Sequence, residues 1–188
     1  MRERKELNVP TSAKDIPLTT YQHLISCDET LQKDPYYVIA LLCGVDVKVI
    51  QAMREQDVFK VMQIAESAVK FNHQEFQHKW KHKDILYGFH PNMEAMTLGE
   101  ITDMENYMND PESYHKAMAV CFRPITKEHD SLGGLYEIEP YRGTGETSDI
   151  MKNIPLSYFF GVRTFFLTTG DELERIIQLS SRQHSKQT

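Results

Sequence analysis

Cysteine, positive charge and long apolar runs are all in short supply in this chain, and each shortage removes a class of function. Cys27, Cys43 and Cys121 are the only thiols among 188 residues. They are too few and too widely spaced for a disulfide framework or a cysteine-rich zinc site, and they read as reduced, inert thiols in an intracellular setting. Lysine and arginine total 21 against 27 aspartates and glutamates, a formal charge of −6. That balance argues against nonspecific duplex binding by the surface as a whole. The densest apolar run, residues 154–167, contains Arg163. It falls short of the roughly 20 apolar residues of a membrane span. The opening Met1-Arg-Glu-Arg-Lys-Glu6 lacks the apolar core of a signal peptide. The expectation is a chain without a membrane anchor.

What is present suits a folded core. Hydrophobic residues make up 40% and charged residues 26% of the chain, values close to those of globular proteins and unlike those of disordered segments. The length supports one domain, or two small lobes sharing an interface. We expect a polar N-terminal arm over 1–16, where Pro10 and weak apolar periodicity interrupt order, a compact body over 17–179, and a polar tail over 180–188.

Along the body, helix signals dominate. Thr19 or Thr20 can cap a helix running to about residue 32 through Tyr21, Leu24, Ile25 and Leu31. Asp34-Pro35 opens a second helix that should end at Gly44, with apolar residues on nearly every face. A short helix near Val47–Met53 and a longer one from about Asp57 to Val69 follow. The longer one carries a core stripe of Val58, Val61, Met62, Ala65 and Ala68. Thr97-Leu-Gly-Glu100 has the form of a capping box opening a helix through Met104. Tyr114, Ala117, Met118, Cys121 and Phe122 form a further helical stripe that Pro124 should stop. Pro155 can begin the last apolar helix, and Asp171 with Glu174 fits another cap, opening a terminal face of Leu173, Ile176, Ile177 and Leu179. Ile85–Phe89 reads as a strand or tight connector, and Leu135–Tyr141 as a strand that Pro140 keeps from an interior position. The fold class expected is α+β, predominantly α-helical, with a small strand or hairpin element.

No constellation of catalytic residues stands out. His78 and His82 could share one helix face, with His73 and His90 nearby, but no His-Glu-x-x-His is present and solvated histidines explain them. Arg142-Gly-Thr-Gly-Glu146 and Gly133-Gly134 lack the spacing and the Lys-Ser/Thr ending of a phosphate loop, so turns are the reading. Lys79-Trp-Lys-His-Lys83 is a basic stretch with one aromatic, a small footprint for nucleic acid, and such contact is disfavoured. Glu137 and Glu139 would share a strand face as exposed charges, and Ser157 has no His–carboxylate partnership in sequence. We expect no catalytic, metal or cofactor site. Tyr36, Tyr37, Tyr158, Phe159, Phe160, Phe165 and Phe166 are instead divided between core and a possible protein interface.

An ordered set of segments carries a family resemblance. Asp34-Pro-Tyr-Tyr-Val-Ile-Ala-Leu-Leu-Cys-Gly44 and its continuation to Ile50 resemble a short-helix pattern of tailed-bacteriophage assembly proteins. Thr97–Met104, Phe122-Arg-Pro124, Tyr136-Glu-Ile-Glu-Pro-Tyr141 and Pro155–Phe166 extend the similarity to a small phage structural or tail-assembly protein, over about residues 34–167. The resemblance implies a noncatalytic role in the tail or head–tail connector, in the virion, after assembly in the host cytoplasm. Its partners would be other tail, connector or portal-associated proteins, in a ring-like homo- or hetero-oligomer. The alternative it implies is a tail-assembly chaperone that binds an immature tail protein and leaves before maturity.

Overall fold

A computed structural model describes residues 7–70, 76–129 and 135–168. The fold is mixed α+β, predominantly helical, with one four-stranded antiparallel sheet. Helices α1 (Leu18–Ser26), α2 (Glu29–Gln32), α3 (Pro35–Cys43), α4 (Val47–Gln51) and α5 (Glu55–Val69) come first. Strands β1 (Lys79–His82) and β2 (Ile85–Phe89), helices α6 (Leu98–Met108) and α7 (Tyr114–Cys121), and strands β3 (Phe122–His129) and β4 (Leu135–Ile138) follow. Helix α8 (Gly145–Met151) precedes α9, which begins at residue 156 and continues to 168.

Local signals set most of these boundaries. The Asp34 carboxylate accepts from the Tyr36 and Tyr37 amides with Pro35 in the first turn, and Gly44 closes α3 at φ 64°, the left-handed conformation that favours glycine. The Thr97 hydroxyl accepts from the Glu100 amide while the Glu100 carboxylate accepts from the Thr97 amide at 2.7 Å, completing the capping box of α6. The single helix expected through residue 32 is broken instead. Asp28 starts α2 by accepting from the Thr30 amide at 2.8 Å and its hydroxyl at 2.6 Å. Aspartate competes with helix continuation by offering the chain a new cap.

The sheet order is β1-β2-β3-β4. Both expected strand regions are present, and two further strands join them. Lys79–His82, a basic stretch in the sequence, is β1; it joins β2 through Lys83, at φ 53°, and Asp84. Phe122, placed by its spacing at the end of a helix, opens β3. Pro124 is tolerated inside β3 for a geometric reason. Its carbonyl accepts from the Glu139 amide, so its nitrogen faces the same side, just past the end of β4 at Ile138, where no ladder donor is required. A bulge follows between Ile125 and Lys127.

The main core lies where α7 and α9 meet the sheet, built on Trp80, Tyr87, Phe89, Phe122, Met118 and Phe160. A second cluster, Ile39, Ala40, Ile50, Val58 and Val61, welds α3, α4 and α5. The segment expected as an arm is partly docked. Ala13 and Ile16 are buried, the Leu156 amide donates to the Ile16 carbonyl at 2.8 Å, and the Leu18 amide to Ile154 at 2.9 Å. Apolar side chains at 13 and 16 are too isolated in sequence to show periodicity, yet α9 supplies them a complementary backbone. The terminal helix expected from Asp171, the tail over 180–188, His73 and Gly133-Gly134 lie outside the described residues.

Candidate protein-contact surfaces and a buried polar cluster

The most unusual chemistry in the interior sits where α6 meets the sheet. Glu100 and Arg123 are nearly buried, with side chains 4% and 8% exposed, and pair at 2.7 Å. The His90 imidazole lies 3.7 Å from the same carboxylate oxygen. Burial pushes the Glu100 carboxyl up, but the Thr97 amide and hydroxyl, with the charge of Arg123, hold it below the ordinary glutamate value. Desolvation, reinforced by Arg123 and only partly opposed by Glu100, lowers His90. The guanidinium also stands 5.7 Å from the centre of the Tyr141 ring, and the Tyr141 hydroxyl donates to Asp103 on α6. Burial first, then Asp103, raises the Tyr141 phenol. Each member of the Glu100–Arg123 pair is occupied by the other. Such a cluster locks α6 onto β3.

Beside this cluster a cavity of 680 Å³ is walled by Arg123, Arg142, Glu139, Glu146 and the Gly143–Gly145 loop. The loop makes a turn, with Gly143 at φ 90° and Gly145 at φ 33°. Two arginines face two glutamates, so the wall favours neither sign of ligand charge.

The remaining sequence candidates fall apart as chemistry. His78 and His82 stand on either side of Trp80 along an extended segment rather than on a helix, and no group of three or more metal-ligating side chains gathers among the described residues. Lys79 is engaged, its ammonium 2.6 Å from Glu128 and 5.0 Å above the Tyr136 ring. Glu137 meets His129 at 2.9 Å, whereas Glu139 lies past the end of β4. The Ser157 hydroxyl is buried without a hydrogen-bond partner among the described residues. Burial alone pushes the Cys121 thiol to about 12 against a small opposing effect of Arg123, which leaves it unreactive at neutral pH.

The aromatic residues divide sharply between interior and surface. Phe159 and Phe160, proposed from sequence as interface residues, are core: they are 1% and 0% exposed, and Phe159 stacks on Tyr114 at 4.5 Å. Tyr158 is half-buried and donates to the Lys79 carbonyl at 3.1 Å, tying α9 to β1. Phe165 and Phe166 are half-buried, and Phe165 stacks on Phe76 at 5.1 Å. Tyr37 is half-buried with its hydroxyl 2.9 Å from His23. Tyr36 remains at the surface, 41% exposed.

Two apolar clefts were not legible from aromatic density. One, of 480 Å³, opens between α1, α3 and α5, where Leu24, Ile25, Val38 and Met62 form an apolar lining flanked by Lys33 and Glu66. The other, of 470 Å³, lies between α6 and α9, lined by Met104, Met108, Tyr114, Phe159, Phe166 and Leu167. Methionine and leucine at helical spacing gave the signal, but only the packing of separate helices shows which faces stay uncovered. No family model, no curated protein and no solved structure matches this chain.

Proposed function

We propose that this chain is a noncatalytic structural component of a bacteriophage tail or head–tail connector, working through protein–protein contacts. The observation that supports this reading best is the open cleft between α1, α3 and α5. Its walls include Leu24, Ile25, Val38 and Met62, apolar side chains with charge only at the edge. A cleft of that character takes an apolar anchor from a neighbouring protein, with the flanking Lys33 and Glu66 setting its register. Met62 in particular can repack around an incoming side chain. The ordered resemblance over residues 34–167 supplies the phage context, and the cleft walls at Pro35, Val38 and Ile39 belong to its first segment.

Mass spectrometry of purified mature particles tests the reading. The polypeptide is expected in stoichiometric amount, and a Met62→Glu variant that keeps its fold is expected to be lost from particles. Consistent absence of the wild-type chain from mature virions overturns the structural role and leaves transient assembly assistance in its place.

A further inference from the structure

Gln22 on α1 is 7% exposed and reaches across to the turn that leads into α7. Its Nε2 lies 2.9 Å from the Pro111 carbonyl oxygen, 2.8 Å from that of Glu112 and 3.1 Å from Nδ1 of His115. An amide nitrogen has two hydrogens, and these three acceptors share them. The Gln22 Oε1 is buried with no hydrogen-bond partner among the described residues. The two carbonyls fix which way the amide faces, because turning it over sets Oε1 against two carbonyl oxygens with no hydrogen between them. Nδ1 of His115 is therefore an acceptor, and the neutral ring carries its hydrogen on Nε2. An imidazolium has a hydrogen on both nitrogens. Its Nδ1–H would point at an amide group that is itself donating. The ring also stands where acid reaches it, lining a surface depression of 260 Å³ with His23 and Ser26 of α1, Glu112 and Lys152. Charged groups face it from each neighbouring element: Asp149 and Lys152, paired at 2.6 Å, from α8 and its end, Lys116 from α7, and Asp110 from the turn. Burial, Lys152 and Lys116 oppose the cation and outweigh Asp149 and Asp110, so the ring is neutral at neutral pH.

We propose that Gln22 and His115 form an acid-released latch, in which protonation of the His115 ring breaks the hold of α1 on residues 111–115 and loosens α1 from the start of α7 while the sheet stays folded. The contacts span 89 to 93 positions in sequence. Their loss separates one packed element from another, which is a local opening of the fold and not the fraying of a single helix end.

Magnetic resonance on the full chain tests this through two readouts. The ring nitrogen shifts of His115 should show an unprotonated Nδ1 and a protonated Nε2 at neutral pH. Hydrogen exchange, corrected for its intrinsic pH dependence, is then compared above and below the pH at which that ring titrates. Wild-type amides over 20–26 and 114–118 should lose about tenfold or more of their protection, while those of β2 and β3 keep theirs. His115→Asn, whose side-chain oxygen can accept in place of Nδ1 and does not titrate, should keep α1 protected at both pH values. A neutral ring with its hydrogen on Nδ1 overturns the proposal, as does wild-type protection that ignores the titration or a loss that spreads over the whole chain at once. An acid loss of equal size in His115→Asn also overturns it, by assigning the response to another group. Should that variant fail to fold, the tautomer and the wild-type exchange profile decide between the same outcomes.

Discussion

Replacing Glu100 with alanine removes the carboxylate that pairs at 2.7 Å with the Arg123 guanidinium, whose side chain is only 8% exposed. Isolated cations buried to that degree are costly, and breaking such a pair from one side destabilises by about 3–5 kcal/mol. The loss also opens the capping box, because the same carboxylate accepts from the Thr97 amide and hydroxyl, each at 2.7 Å. A cap of this kind adds about 1 kcal/mol. Against a typical total of about 5–15 kcal/mol this is a large fraction of stability. Urea unfolding followed by circular dichroism measures it directly. With a slope of about 2–3 kcal/mol/M, the midpoint for Glu100→Ala should fall by about 1.3–3 M while the slope itself stays unchanged. Arg123→Met alone should be comparably damaging, since it strands the carboxylate. The Glu100→Ala, Arg123→Met double variant should be much less damaged than the sum of the two single losses, with a coupling of about 2 kcal/mol or more. Single variants that lose less than about 1 kcal/mol, or losses that simply add, would refute the claim that the pair acts as one buried unit.

Further consequences concern pH, packing and thiol chemistry. His90 and His115 are both lowered from the ordinary 6.5, by burial above all, with Arg123 acting on the first and Lys152 on the second. Their neutral forms are favoured in the fold, so stability is full above 6.5 and declines as acid drives protonation. Glu100, held below its ordinary 4.5, extends the decline to lower pH. Melting temperatures recorded from neutral to pH 4 should fall progressively, and a flat profile contradicts the assignment. Gly88→Ala should destabilise by about 1–3 kcal/mol. A methyl at that position collides with the Tyr136 ring and comes within 2.9 Å of Ile125, and Tyr136 is held by a 2.7 Å hydrogen bond to the Phe89 carbonyl. Urea midpoints equal to wild type would show the ring has room to move. Cys121 should resist alkylation until the chain unfolds, as its thiol is fully buried and titrates near 12. Mass spectrometry finding Cys121 labelled in native protein would contradict that burial.

Legibility in the sequence followed the range of the interaction concerned. The Asp34-Pro35 opening, the stop at Gly44 and the Thr97–Glu100 box lie within a few residues of their partners, and all are present as read. Phe122, read as the end of a helix, opens a strand because β3 pairs with β2, more than thirty residues earlier in the chain, as well as with neighbouring β4. Its own sequence, with Pro124 and three charged or titratable residues at its end, carries little strand signal. Lys79–His82 pairs with the strand that follows it at once, but four residues of which three are basic or titratable carry little strand signal until Trp80 faces the core. The Glu100–Arg123 pair could not be found from sequence at all, since helix and strand bring the two together across the intervening α7. The aromatic run at 158–166 announced burial correctly, but which rings faced inward required α9 to be set against Tyr114 and Phe76.

The sequence by itself therefore determined the opening and close of α3, the capping box of α6 and the α-rich class. Capping, turn chemistry and composition act over a few residues and need no tertiary partner. Only the tertiary structure decided that Phe159 and Phe160 are core, that residues 13–16 dock against α9, and where apolar clefts remain between helices. Burial and uncovered surface are properties of pairs of elements distant in sequence, and no local pattern encodes which face a neighbour will cover.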